Sequence, residues 1–144
     1  MFTRTVLLAA AAITFSGCAT AIDPSYAPTV QYSQQQVFDM FETALRYRLA
    51  TAPLWHHATC YVYLENTDVP IEPFAKRFPE YHMVVRRNSP GNSTPIPWFY
   101  MHLGKTTRDY AWINIEYRGG GLVYTLRREG DKWVVTHAEE PILI

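Results

Sequence analysis

One stretch in the first half of the chain repeats apolar residues at helical spacing. Ser33 caps helix N-termini well and is followed by Gln36 at the spacing of a capping box. The apolar side chains that share one face of a 3.6-residue repeat are Val37, Phe38, Phe41, Ala44, Leu45 and Leu49. Pro53 ends the pattern because proline cannot continue a helix. The spacing predicts one long helix over 33–51.

Most of the remaining chain alternates between inward and outward positions with the period of a β-strand. The alternation predicts strands over three stretches before the last third: 59–65, 82–87 and 98–103. Between the first two of these, the stretch 72–78 predicts a short helix with Pro73 in its first turn. Prolines and Gly91 in the stretch 88–97 predict a surface loop.

The last third of the chain predicts a three-stranded meander. The positions that share one face of its first two strands are Ala111, Ile113, Ile115, Tyr117, Leu122, Tyr124 and Leu126. Glycines 119–121 and the Glu129-Gly130-Asp131 turn allow the tight reversals. A helix on an antiparallel sheet buries both apolar faces at once. We therefore expect an α+β domain in which one long helix packs on a curved antiparallel sheet of five or six strands.

The N-terminal stretch has the pattern of a secretory signal peptide. Arg4 is the only charge in the first 22 residues, and the uncharged run 5–15 is too short to span a bilayer. The run ends in Phe15-Ser16-Gly17-Cys18, which resembles the lipobox of bacterial lipoproteins. In that family the cysteine is acylated with fatty chains such as palmitate and becomes the first mature residue. The chain as a whole is most similar to uncharacterised bacterial lipoproteins, which imply no activity.

The lipobox resemblance implies a division of the chain and a location. We expect a lipoprotein signal peptide over 1–17, a lipidated tether over 18–32 and a single α+β domain over 33–144. The resemblance implies a membrane anchor through Cys18, and Ala19 in place of Asp favours the outer membrane, facing the periplasm. One alternative is a plain signal peptide that is cut near Ala21, and the other is a soluble protein with an apolar N-terminus. Neither would carry a lipid anchor.

Composition narrows the classes of partner. The 144 residues are 48% hydrophobic and 18% charged, which excludes disorder throughout the chain. Lys plus Arg and Asp plus Glu both number 13, so the formal net charge is zero. Because no basic surplus is present, we expect no nucleic-acid partner.

The final hairpin carries a second resemblance. The run 122–135 joins an aromatic strand, a polar glycine turn, and then Trp133 and Val134. It is similar to the last hairpin of the nuclear transport factor and ketosteroid-isomerase-like superfamily, which implies a cone-shaped fold of helices on a curved sheet. The chain departs from that superfamily in having one long helix where several are usual. The resemblance therefore bears on architecture alone.

The residue types that could carry chemistry give little indication of a reaction. His56, His57 and Cys60 could ligate zinc or copper, but a strand would separate the two histidines and point Cys60 inward, where a buried structural thiol is the expected role. The sequence holds no nucleophile-elbow, zinc-protease or phosphate-loop motif. We expect no cofactor and no metal.

Aromatic residues opposite the main apolar strand positions are the best candidates for a binding face. They are Tyr61, Tyr63, Tyr110 and Trp112. Exposed Tyr and Trp are enriched where proteins bind partners, although the short helix at 72–78 could instead cover this face. We expect an envelope lipoprotein with a small non-enzymatic binding or assembly domain, whose partner is an envelope protein, a cell-wall component or a small envelope ligand. The alternative is a small isomerase- or hydrolase-like enzyme with a pocket in a cone-shaped fold.

Overall fold

The fold is α+β, with one long helix packed on an open, mixed sheet of six strands. We describe a computed structural model over residues 23–51, 59–65 and 70–140. The helices are α1 (Gln34–Ala50) and α2 (Glu72–Ala75), preceded by a 3-10 turn at Pro24–Tyr26. The strands are β1 (Thr59–Leu64), β2 (His82–Arg87), β3 (Trp98–Thr106), β4 (Tyr110–Tyr117), β5 (Gly120–Glu129) and β6 (Lys132–Glu139). Their order across the sheet is β2-β1-β3-β4-β5-β6.

Helix α1 begins at the predicted capping box. The Ser33 side chain accepts a hydrogen bond from the backbone N–H of Gln36 at 3.3 Å, and the Gln36 side chain accepts one from the backbone N–H of Ser33 at 3.0 Å. Its apolar stripe is buried as expected, with Met40 added to the predicted residues. Local sequence therefore determines both where this helix begins and which side of it faces the sheet.

The expectation of a purely antiparallel sheet is wrong, because β1 pairs in parallel with both of its neighbours. Tyr63 is paired with Arg86 on β2 and with Tyr100 on β3. The chain leaves β1, passes through α2 and returns to start β2 in the same direction, which is the connection that parallel strands require. The loop 88–97 then crosses β1 and places β3 on its other edge.

Strands β3 to β6 form an antiparallel meander, which confirms the predicted one and extends it by a strand. Two short turns join its last three strands. Gly119 has φ 92° and Gly130 has φ 65°, both in the left-handed region that glycine adopts without steric cost.

The core lies between the helices and one face of the sheet. Helix α1 packs over β4, β5 and β6, and α2 packs beside β2. The Phe74 ring joins the two helices, with its centroid 5.2 Å from the Phe38 ring and 6.4 Å from the Phe41 ring. The short helix therefore lies on the same side of the sheet as α1.

Charged residues also link α1 to the segment that contains α2. Arg46 pairs with Glu42 at 2.9 Å and with Glu80, while Arg77 pairs with Asp39 at 2.6 Å. The Arg46 guanidinium lies 4.8 Å from the centroid of the Phe78 ring, which it shields from solvent.

The segment that precedes α1 contacts the turn between β3 and β4. Val30 donates its amide to the Thr106 carbonyl at 2.8 Å, and the Thr106 hydroxyl donates to the Val30 carbonyl at 2.6 Å. The Tyr32 hydroxyl donates to the Thr107 carbonyl at 2.7 Å, and Lys105 donates to the Ser25 carbonyl. Residues 23–32, which belong to the predicted tether, are thus hydrogen-bonded to the domain.

Within the three described stretches, no helix is long and apolar enough to cross a membrane.

Candidate functional site

The sheet side that faces away from α1 and α2 is called the open face here. Side chains alternate between the two sides of a strand. Val62, Phe99 and Ile113 are fully buried on the helix side, so their neighbours along each strand belong to the open face. Both described α-helices contribute to the core cluster on the opposite side. The alternative in which the short helix covers this face is therefore wrong, because α2 lies on the same side of the sheet as α1.

Half-buried aromatic side chains dominate the open face. Those on its three central strands are Tyr61, Tyr63, Trp98, Tyr100, Tyr110 and Trp112. The register pairs Tyr61 with Trp98 and Tyr63 with Tyr100, which places these rings side by side on β1 and β3. The structure thus adds two rings to the pair predicted on β1.

The aromatic pair on β4 lies at the other end of the open face. Tyr110 and Trp112 stack with their ring centroids 6.2 Å apart and their planes 24° apart. Tyr110 also borders a groove of about 610 Å³ between the β3–β4 turn and the segment 24–30. The predicted residues share one face, but they fall into two groups.

An acid–imidazole cluster lies beside the β1–β3 aromatic group. The His102 ring is hydrogen-bonded through Nδ1 to Glu65, and its Nε2 lies 3.1 Å from Glu116 Oε1. The Nε2–Glu116 approach lacks hydrogen-bond geometry, and no other described residue satisfies this buried nitrogen. His102 is 18% exposed in its side chain and Glu116 is 55% exposed, so the cluster extends from the sheet surface into solvent.

Tyr100 packs against this cluster. Its ring centroid lies 4.0 Å from that of His102 at an interplanar angle of 63°. Burial raises the pKa of the Tyr100 hydroxyl, and the nearby Glu65 and Glu116 raise it further. The hydroxyl therefore stays protonated at neutral pH and can donate a hydrogen bond.

A loop converts this end of the open face into a groove. Asn88 has φ 67°, in the left-handed region that asparagine tolerates, and it directs the chain out of β2. The following stretch 89–94 forms one wall, Trp98 and Tyr100 form the floor, and Glu116 and Arg118 complete the lining. The groove has a volume of about 530 Å³, within the range of small-molecule sites.

The sequence candidates for metal binding do not form a site in the described part of the chain. His56 and His57 lie outside the described residues. Cys60 is fully buried on the helix side of β1, and burial raises the pKa of its thiol, which disfavours the nucleophilic and metal-binding thiolate. No group of three or more His, Cys, Asp or Glu residues that could hold a metal ion occurs over 23–51, 59–65 and 70–140.

Trp98, Tyr100 and the cluster around His102 were not predicted as site residues from the sequence. Alternation along β3 already separates Trp98, Tyr100 and His102 from Phe99 and Met101, so the period-2 signal was present. Nothing local indicates that Glu65 and Glu116 flank His102, because Glu65 follows β1 and Glu116 lies on β4, and the pairing of these strands with β3 is set by the whole sheet.

No family model matches this chain, and neither a curated protein nor a solved structure matches it. The chemistry of the open face must therefore be inferred from its own geometry.

Proposed function

We propose that this protein is a lipid-anchored protein of the bacterial envelope whose single α+β domain binds a partner without transforming it. The observation that carries the proposal is the aromatic open face, which lies opposite both described α-helices. Tyr and Trp side chains bury a large area on binding while losing little rotamer freedom. A sheet face of this kind is suited to contact with a protein or cell-wall partner.

The anchor is the part of the proposal that concerns location. Cys18 lies outside the described residues, and its acylation is expected from the lipobox. Two or more fatty chains hold a protein stably on a bilayer, and the proposed site is the periplasmic face of the outer membrane. Replacing Cys18 with Ser should move the protein to the soluble envelope fraction. Membrane association that survives this substitution would exclude the lipid anchor.

The binding face can be tested by photo-crosslinking in cells. A photoreactive phenylalanine analogue would replace Tyr61 in one variant and Trp112 in another. Tyr47 is the matched control because it is 46% exposed and lies on α1, on the opposite side of the sheet. We expect a discrete adduct from at least one open-face position and none from Tyr47. Equal adducts from all three positions, or none from either open-face position, would contradict a binding role for this face.

One observation favours the alternative, an isomerase- or hydrolase-like enzyme with a cone-shaped, curved-sheet fold. Glu65 and His102 form a hydrogen-bonded acid–base pair beside Tyr100, whose hydroxyl can donate. General acid–base catalysis uses such groups, but the adjoining groove is open and Glu116 is largely exposed. Substrate turnover that is lost in His102→Ala and kept in His137→Ala would favour the enzyme over the binding module.

A further inference from the structure

The groove at the Trp98 end of the open face combines an aromatic floor with polar walls. Trp98 and Tyr100 alternate with buried residues on β3, so their side chains stand about 7 Å apart on the same side of the strand. Asn92 and Thr94 lie on the loop wall, and Glu116 lies on β4. A ligand in the groove would therefore meet aromatic side chains below and hydrogen-bonding groups at its sides.

The charges of the lining indicate a neutral ligand. Glu116 and Arg118 contribute one negative and one positive side chain, and the remaining lining residues are uncharged. A carboxylate accepts hydrogen bonds and a guanidinium donates them, so together they can serve a ligand whose groups do both. An anionic ligand would be repelled by Glu116, and a cationic ligand would be repelled by Arg118.

Sugar hydroxyls both donate and accept hydrogen bonds, and the C–H faces of a pyranose ring stack on aromatic rings. We propose that this groove binds a neutral oligosaccharide, with successive pyranose rings resting on Trp98 and Tyr100 and their hydroxyls bonded to Glu116 and Arg118. The inference rests on the proposed function, since it names the ligand class of the same open face. An envelope location would expose such a groove to the glycans of the cell wall.

The test measures binding of defined oligosaccharides to the purified, full mature protein. The probes are tetrasaccharides of β-1,4-linked N-acetylglucosamine, β-1,4-linked glucose and α-1,4-linked glucose. Their binding is measured by calorimetry and by the change in tryptophan fluorescence. We expect at least one probe to bind, and Trp98→Ala to weaken its Kd by about tenfold or more. Tyr47→Ala is the control, since Tyr47 is a 46% exposed aromatic residue on α1, on the opposite side of the sheet, and its loss should change the Kd by less than about twofold.

Two further variants separate lost contacts from lost folding. Tyr100→Phe keeps the stacking ring and should retain most of the affinity, while Arg118→Ala removes an exposed side chain and should weaken binding in a protein that still folds. The oligosaccharide inference is overturned if no probe binds, or if Trp98→Ala and Tyr47→Ala weaken binding equally. If a protein partner is crosslinked at Tyr61 and no glycan binds, the proposed binding function is supported and only the oligosaccharide inference is contradicted.

Discussion

At the scale of single residues, the most unusual feature is an imidazole held between two carboxylates. Glu65 directly follows β1, His102 lies on β3 and Glu116 lies on β4, and the His102 side chain is mostly buried. A buried polar group is costly unless it is paired. The hydrogen bond to Glu65 pairs Nδ1 and offsets part of this cost. The imidazole ring also separates two acidic side chains that would otherwise repel each other.

We predict that His102→Ala lowers the free energy of unfolding by about 1–2 kcal/mol at neutral pH, as expected for losing a hydrogen bond to a charged group. Urea denaturation measures the change. His137→Ala is the matched control. His137 also contacts a carboxylate, that of Glu139 at 3.3 Å, but its side chain is 62% exposed, so its loss should change stability by less than about 0.5 kcal/mol. Equal losses in the two variants would show that the Glu65 contact adds no stability.

At the scale of elements, the central strand pair depends on a close approach of backbones. A Cβ at Gly104 on β3 would lie 2.8 Å from the Trp112 carbonyl oxygen on β4. The ladder shifts register between Leu103 and Thr106, next to this glycine. Gly104 therefore lets the two strands approach beside Trp112, which belongs to the open face.

Gly104→Ala should destabilise the protein by about 1–3 kcal/mol, because a backbone atom must move to admit the methyl group. Thermal unfolding followed by circular dichroism would report the loss. Gly91→Ala is the control, since a Cβ there meets nothing within 4 Å and should change stability by no more than about 0.5 kcal/mol. An unchanged Tm for Gly104→Ala would mean that the strands separate at little cost.

The contact between α1 and the α2 segment should depend on pH through Glu80. The hydrogen bond from Arg46 lowers the pKa of Glu80 from its ordinary value of 4.5. The ionised carboxylate is thus favoured by folding, so the contribution is complete above pH 4.5 and is lost as the pH falls through the lowered pKa.

Glu80→Gln should cost about 0.5 kcal/mol at pH 7, since the pair is half exposed. The difference from the native protein should then shrink to nothing in acid. Denaturation midpoints at a series of pH values test this, with Glu140→Gln, an exposed residue beyond β6, as the control. A difference that grows in acid would reverse the assigned sign.

The elements that sequence predicted well are those defined by local chemistry. The capping box at Ser33 and the strand His82–Arg87 lie where the patterns indicated. Strand pairing is not local: β1 is inserted between β2 and β3, and no alternation within β1 reveals its neighbours. For the same reason Tyr61 was recognised as outward-facing, whereas its pairing with Trp98 was not foreseen.

At the scale of the whole molecule, the segment before α1 is tied to the far end of the β3–β4 hairpin. The Tyr32 hydroxyl donates to the carbonyls of both Thr107 and Arg108, and its ring packs at 5.7 Å from that of Trp133. These bonds span 75 positions or more along the chain. The segment therefore belongs to the folded unit, although the sequence placed it in the tether.

Tyr32→Phe should release this segment while leaving the core intact. Removal of the shared donor leaves two carbonyls to solvent, at a cost of about 1 kcal/mol. Hydrogen exchange of the Val30 amide, which donates to Thr106, should speed up, while amides in the middle of α1 keep their protection. Uniform acceleration along the chain would instead indicate global destabilisation.

Because the segment 23–32 is hydrogen-bonded to the domain, it limits the distance between the domain of a lipidated chain and the bilayer. From Cys18 to Asp23 a fully extended backbone reaches at most about 18 Å, so an acylated cysteine would hold the Tyr110 end of the domain close to the headgroups. Strand β4 separates that end from the Trp98 end by about 25 Å. The groove lined by Trp98 and Tyr100 would then lie on the part of the domain that is furthest from the membrane, where it could meet material in the periplasm.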